Sequence, residues 1–212
     1  MRHLIDELLN QDYIYIEEIK DGETKVQFYI EEKKPLGKGK SFFTSDTDVL
    51  IIRAKDQAPI VWALKNKKCS EAAFLIQRDG KIELSLLEMK SNLRLQDWKS
   101  VLEQFKGMYL SSLAILSILK LTDPVNVKAY IAYKEDKVTE LRDDQDPMIF
   151  NKLLIGENKE LSKEEKSRRY LKQLWLDEVV DLPHDLQAKL IKGQRISNLS
   201  SNDEYNCDFG SI

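Results

Sequence analysis

The chain has 212 residues, of which 42% are apolar and 33% are charged, a composition that favours one globular domain with a hydrophobic core. Its 33 Lys and Arg and 36 Asp and Glu give a net charge of −3, which excludes the strongly basic profile of a protein that wraps nucleic acid. Two widely separated cysteines and two histidines argue against a thiolate zinc centre, a disulfide framework or a multi-histidine metal site. The longest apolar run is too short for a membrane span, so we expect a soluble, cytoplasmic protein with no membrane partner.

The first part of the chain predicts one short helix and a series of strands. We expect the helix over residues 2–10 and strands over residues 13–19, 24–31, 41–54 and 60–64. Residues 33–40 hold four lysines together with Pro and Gly, which predicts an exposed basic loop. Such a loop is usually just solvated, but it would also suit contacts to phosphates that carry no sequence information.

Two alternating stretches, residues 71–78 and 81–90, flank the dipeptide Asp79-Gly80. Asp-Gly between alternating apolar stretches is a strong signal for a β-hairpin with a two-residue turn. A turn of this kind fixes the register, so that Ala73 pairs with Leu86 and Leu75 pairs with Leu84. The hairpin is therefore the best-defined element that the sequence predicts.

A long helix over residues 93–119 and a strand over residues 126–133 follow the hairpin. Residues 162–179 also follow a helical pattern, and the tail after residue 197 is polar and poorly patterned. Together these elements predict an α/β fold with a mixed central sheet flanked by helices, and a mostly helical C-terminal extension over residues 146–212. The apolar second half of the long helix and the aromatic residues after position 169 are candidate surfaces for a second copy of the chain or a partner protein.

The register of the hairpin also brings two carboxylates together. It places Glu71 opposite Glu88, and strand alternation puts Lys90 on the same inward face as Glu88. Like charges that face each other across two strands are destabilising, so this pair needs a cation. Mg²⁺ is commonly held by one or two carboxylates together with waters and substrate phosphate oxygens. Lys90 would orient or activate water and stabilise charge on a phosphate.

This pattern resembles the PD-(D/E)XK nuclease superfamily. Its signature is an acid at the start of one strand, acid-x-Lys on the next strand and then a long helix, matched here by Glu71, Glu88-Met89-Lys90 and residues 93–119. Many members place a Gln on that helix near the metal, as Gln104 would be. The resemblance covers residues 41–134. It implies a restriction-endonuclease-like core in a nuclease-like domain of residues 1–145, a Mg²⁺ or Mn²⁺ cofactor and a nucleic-acid substrate, with DNA favoured over RNA.

The match departs from the signature at its first acid, which is usually Asp. Glu71 is one methylene longer, so Asp46 or Asp48, at the head of another strand, would serve as a metal ligand instead or in addition. We include Asp48 among the candidate ligands. Glu7 matches a helix acid of the superfamily by its position alone.

A structural explanation exists for each candidate residue. Glu88 and Lys90 would also suit a strand end where the two charges reach solvent and pair with each other, and Glu71 would suit an exposed strand start. Gln104 would equally suit the border of a helix face that packs on the core. Acid-x-Lys is a common pattern, so the inference rests on the hairpin that contains it and on the long helix that follows it.

Three functions follow from these alternatives. The leading hypothesis is a metal-dependent nuclease, by resemblance one of bacterial genome defence or of a mobile element. The second is a nuclease-like fold kept as a catalytically inactive binding or regulatory subunit, which the Glu-for-Asp difference at residue 71 would suit. The third is a structural adaptor whose acids simply face water.

Overall fold

The computed structural model describes residues 2–32, 38–54, 60–61, 63–139, 162–197 and 205–212. Within these ranges the chain forms three helices and eleven strands. In chain order they are α1 (Arg2–Leu8), β1 (Ile14–Glu17), β2 (Val26–Glu32), β3 (Gly39–Ser45), β4 (Val49–Arg53), β5 (Ala72–Arg78), β6 (Lys81–Arg94), α2 (Leu95–Ile118), β7 (Asn126–Lys137), α3 (Lys163–Leu176), β8 (Val179–Leu182), β9 (Leu186–Gln194), β10 (Ile196–Ser197) and β11 (Tyr205–Ser211).

A seven-stranded mixed sheet forms the middle layer of the fold, with the strand order β1-β4-β5-β6-β7-β9-β8. β4, β5 and β6 form an antiparallel meander, and β7 joins β6 in parallel after the chain has passed through α2. A second sheet has the order β10-β11-β3-β2. The predicted α/β class with a mixed central sheet is confirmed.

The β5–β6 hairpin has the predicted register. Ala73 pairs with Leu86 and Leu75 pairs with Leu84 across a two-residue turn. Both turn residues have positive φ, 49° at Asp79 and 75° at Gly80, which is the conformation that a tight hairpin turn requires and that Gly adopts without strain. Local chemistry at the turn thus sets the position of every side chain along both strands.

One face of the large sheet packs against the helices. Alternate residues of the central strands, such as Leu75 and Leu86, contact a stripe of α2 that includes Trp98 and Phe105, all of them buried. The stripe recurs at three- and four-residue spacing, which is why this segment folds as an amphipathic helix. Trp175 of α3 packs edge-on against Trp98, with ring centroids 5.2 Å apart, and extends the same core.

The opposite face of the large sheet packs against the four-stranded sheet. The intervening alternate residues, such as Phe74 and Met89, meet Phe28 and Phe43 in a second core. The rings of Phe43 and Phe74 lie 4.8 Å apart between centroids. Within the described residues, helices therefore cover one face of the central sheet and strands cover the other, whereas the sequence predicted helices as the flanking elements.

The strand predicted over residues 41–54 is two strands in different sheets. β3 ends at Ser45 and β4 begins at Val49, and between them the Thr47 backbone N–H donates to Ser45 Oγ at 3.1 Å. Such local side-chain bonds compete with strand pairing, so the chain turns here and crosses from one sheet to the other. Residues 60, 61, 63 and 64 belong to no strand, so the short strand predicted there is wrong.

The prediction of a mostly helical C-terminal extension is also wrong. α3 is present, but β8, β9, β10 and β11 follow it, with β9 pairing with β7 and β11 with β3, both in parallel. Leu186, Ala188 and Leu190 alternate with the polar residues Gln187 and Lys189, which is a strand pattern. The pairings of β9 with β7 and of β11 with β3 join segments far apart in sequence, which a local pattern cannot reveal, whereas β8 and β9 form a local hairpin.

The candidate partner surfaces are largely part of this chain's own core. Ile115 and Leu116 in the second half of α2 are buried, as is Trp175 in α3. Tyr170 is exposed, and its hydroxyl donates to Asp181 on β8. Among the described residues, no helix is long and apolar enough to cross a membrane.

Candidate metal site

The candidate site lies at a step in the large sheet. β5 begins at Ala72, which pairs with Leu87 of β6, whereas β6 and β7 stay paired to the ends of both strands. Glu88 and Lys90 of β6 come directly after this step. Because side chains alternate along a strand, both lie on the same face as Leu86, the face that α2 covers.

Glu88 is the deepest charged group of the site. Its side chain is 0% exposed, and Lys90 Nζ lies 2.7 Å from its Oε1. Taking a carboxylate out of water costs several kcal/mol, and an adjacent ammonium group offsets part of that cost. The Lys90 side chain is 24% exposed, so the pair connects the interior of the sheet to solvent at the step.

Glu71 directly precedes β5, and continuation of the ladder places it opposite Glu88. Its backbone carbonyl accepts a hydrogen bond from the Ala54 N–H at 3.2 Å, which extends the pairing of β4 with β5 by one residue. The residue is half-buried. The structure therefore puts Glu71 at the rim of the step and Glu88 at its floor, on one face of the sheet.

Gln104 lies on α2 at the same level of the sheet. The helix starts directly after β6 and runs back over it. Nine helical residues, at about 1.5 Å each, span the same length as about four strand residues, so the helix has returned to the level of Lys90 at Gln104. Gln104 Nε2 lies 3.4 Å from the Cys69 carbonyl oxygen and donates to it. Its Oε1 is buried and has no hydrogen-bond partner among the described residues. The structure thus brings Gln104 to the same edge as Glu71.

Tyr133 is a neighbour that the sequence did not single out. It pairs in register with Lys90 on β7, and its ring packs edge-on against Trp175 with centroids 5.8 Å apart. Burial raises the pKa of the Tyr133 phenol, and the charge of Asp136 raises it further, so the hydroxyl stays neutral near physiological pH. Its only sequence signal is the alternation of the strand over residues 126–133.

Asp46 and Asp48 lie at the other end of the hairpin. Val49, next to Asp48, pairs with Ile76, which is five residues or roughly 17 Å along β5 from Glu71. Asp48 Oδ1 accepts the Ile19 N–H at 2.9 Å, and Asp46 Oδ1 lies 2.6 Å from the Arg78 guanidinium. The structure therefore does not bring Asp48 to Glu88, because the break after residue 45 sends the chain into β4 from the turn end.

Two other candidates are placed as follows. Glu7 lies on α1 with its side chain 58% exposed, and its carboxylate is 3.4 Å from the His3 imidazole. Of the basic loop over residues 33–40, residues 33–37 lie outside the described part of the chain.

The donor set at the step fits a hard divalent cation. Glu71 and Glu88 would supply carboxylate oxygens, and the buried Oε1 of Gln104, which has no hydrogen-bond partner among the described residues, would supply an amide oxygen. Mg²⁺ prefers such oxygen ligands and keeps several waters, so it needs few protein groups. No cluster of three or more His, Cys, Asp or Glu side chains occurs in the described ranges, and a site built from thiolates or imidazoles is absent there.

No protein-family model, curated protein or solved structure matches this chain. The activity has therefore to be inferred from the residues and their geometry.

Proposed function

We propose that the chain is a metal-dependent nuclease of the PD-(D/E)XK type. The observation that supports this best is the convergence of Glu71, Glu88, Lys90 and Gln104 from β5, β6 and α2 at one step of the sheet. Glu88 is fully buried there beside a lysine, which is costly for the fold. A chemical role for the carboxylate would explain that cost.

The order of the elements around the step also supports the proposal. An antiparallel meander of three strands, β4-β5-β6, is followed by α2 and by β7 parallel to β6. This is the order expected for a restriction-endonuclease-like core, with one acid at the start of the second strand and the other in the third. β8 and β9 extend that core on one side, and the second sheet covers one of its faces.

Each residue has a role that its position allows. Glu71 and Glu88 would hold Mg²⁺ or Mn²⁺, with Gln104 beside them. The ion would stabilise negative charge on the phosphate and lower the pKa of water. Lys90, whose ammonium reaches both the buried carboxylate and solvent, would orient the attacking water and stabilise the charge that develops on a phosphate oxygen. DNA is favoured over RNA by the resemblance to the superfamily, as is a setting in genome defence or a mobile element.

Cleavage assays with plasmid, single-stranded DNA and RNA in Mg²⁺ or Mn²⁺ test the proposal. We expect Glu88→Gln and Lys90→Ala to lower the rate by about 100-fold or more, because the first removes a metal ligand and the second removes a group that acts on water and phosphate. Glu83→Gln and Lys81→Ala are matched controls, since they lie on the same strand near the turn. Cleavage that survives both site substitutions would reject the assigned site.

The alternative is a nuclease-like fold that binds without turnover. The observation that favours it is the 2.7 Å approach of Lys90 to Glu88, which closes the carboxylate against its own strand. In that case the wild type cuts none of the substrates. Under this alternative we also expect no thermal shift with Mn²⁺ that depends on Glu88. A shift that disappears in Glu88→Gln would instead support a live metal site whose cleavage requires a partner or activator.

A further inference from the structure

Residues 66–70, here called the strap, lie along α2 and lead directly into Glu71. Asn66 Nδ2 donates to the Glu103 carbonyl oxygen at 2.8 Å, and Gln104 Nε2 donates to the Cys69 carbonyl oxygen at 3.4 Å. Both bonds join the strap to the middle of α2. The chain that enters β5 is therefore attached to the helix just before the candidate ligand.

Gly107 allows the strap to approach α2 at backbone distance. A Cβ atom at residue 107 would overlap the Lys68 carbonyl oxygen and would lie 2.9 Å from the Lys68 carbonyl carbon. These atoms belong to the backbone, so no side-chain rotation would relieve the overlap. Glycine is a poor residue for the interior of a helix, and an isolated one in an amphipathic pattern usually has a packing or functional reason. Here the contact with Lys68 is that reason.

The strap is also bonded within itself. The Lys68 backbone N–H donates to Asn66 Oδ1 at 3.1 Å, and Ser70 Oγ donates to the Ala72 carbonyl oxygen at 3.4 Å. The Cys69 Sγ lies 3.8 Å from Ser111 Oγ one turn further along α2. A shift of the strap at Gly107 would therefore be passed on to the start of β5.

We propose that Gly107 and Asn66 are positioning residues that set the location of Glu71 relative to Glu88. This inference rests on the proposed metal site. Glu88 and α2 belong to one continuous segment, because the helix begins one residue after β6 ends. Glu71 enters from a different segment, and the strap ties that segment to α2. Two carboxylates from separate segments bind one ion well only if their spacing is held closely.

The experiment is a Mn²⁺ titration of the full chain followed by electron paramagnetic resonance. We expect Gly107→Ala to weaken Mn²⁺ binding by about tenfold or more, the range found when a residue that supports a metal ligand is lost. Asn66→Ala removes one strap bond and should cause a smaller loss in the same direction. Lys65→Ala, an exposed neighbour just before the strap, is the matched control and should bind Mn²⁺ like the wild type.

Hydrogen exchange without metal supplies a second readout that does not depend on activity. In Gly107→Ala the amides of residues 66–72 should exchange faster, while those of β6 and β7 should keep their protection. If Gly107→Ala fails to fold, Mn²⁺ binding by Asn66→Ala tests the positioning role instead. Wild-type affinity in the folded variants, or an equal loss in Lys65→Ala, would overturn the positioning role alone. Absence of Mn²⁺ binding by the wild type would instead overturn the metal site and this inference with it.

Discussion

The two ends of the β5–β6 hairpin hold acids and cations in opposite surroundings. At the turn end, Arg78 lies 2.6 Å from Asp46 and 3.6 Å from Glu83, and all three side chains reach solvent. At the other end, Glu88 is 0% exposed with Lys90 2.7 Å away. An ion pair at the surface costs little desolvation free energy and contributes little to stability, whereas a buried carboxylate carries a large desolvation penalty. One hairpin thus carries ordinary surface pairs at its turn end and a costly buried carboxylate at the other, which is the end where we propose the functional site.

Another ion pair shows that charges are also buried away from the candidate site. Arg195 Nη1 lies 2.9 Å from Glu32 Oε2, and the two side chains are 0% and 7% exposed. Arg195 Nε also donates to the Tyr205 carbonyl oxygen at 3.1 Å, so the guanidinium joins β2 to the start of β11. Both side chains of this pair are buried, as Glu88 is, but the pair holds strands together. It therefore provides the control for burial in the predictions that follow.

The largest effect is expected from Glu32→Gln. This substitution leaves the fully buried Arg195 guanidinium without its counter-charge, so we expect the free energy of unfolding to fall by about 3 kcal/mol or more. Urea denaturation at pH 7, followed by tryptophan fluorescence, measures it. A loss below about 1 kcal/mol would mean that a buried ion pair does not necessarily stabilise this fold.

A much smaller effect is expected from Glu88→Gln. The free energy of unfolding should stay within about 1 kcal/mol of the wild type or rise, because the substitution removes a buried charge and the partly exposed Lys90 ammonium can turn to water. The same urea experiment compares it with Glu32→Gln. A loss as large as that of Glu32→Gln would show that Glu88 is kept for stability, and the comparison between the two ends would fail.

The smallest effect is expected from Asp46→Asn at the turn end. The hydrogen bond from Arg78 lowers the pKa of the Asp46 carboxyl below its usual range. A lowered pKa stabilises the fold at pH values above the pKa of the unfolded chain, and that contribution disappears as the pH falls through the folded pKa. The urea midpoint of the wild type should therefore exceed that of Asp46→Asn slightly at pH 7. The difference should shrink as the pH falls below about 4, and a constant difference would contradict the pairing with Arg78.

The sequence predicted the parts of the site that depend on local geometry. The Asp79-Gly80 turn determined the register of β5 and β6, whereas Gln104 was expected from the resemblance to the superfamily. It failed where two distant segments meet. The contact between Gly107 and Lys68 involves backbone atoms of α2 and a loop, and only the glycine itself gave a signal.

Physical causes can also be given for the errors in the predicted fold. Residues 41–54 read as one strand because their apolar residues continue, yet the polar residues at positions 46–48 turn the chain into another sheet. β8 and β9 form a local hairpin that was missed, whereas β11 was missed because it pairs in parallel with β3, which lies far away in sequence. Parallel pairing at such separation leaves no hairpin turn to recognise.

The place of β11 between β10 and β3 has a consequence for the order in which the protein can fold during its synthesis. The Lys40 backbone N–H on β3 donates to Asn206 Oδ1 on β11, which is 166 residues later in the chain. Without β11 the second sheet is reduced to a two-stranded hairpin, which is marginally stable by itself. The ribosome must therefore deliver residues 205–211 before Phe43 and Tyr130 are fully covered, because Phe209 of β11 packs against both rings. Until then the nascent chain exposes an apolar sheet face, which makes it a natural client for chaperones and makes truncations before residue 205 prone to aggregate.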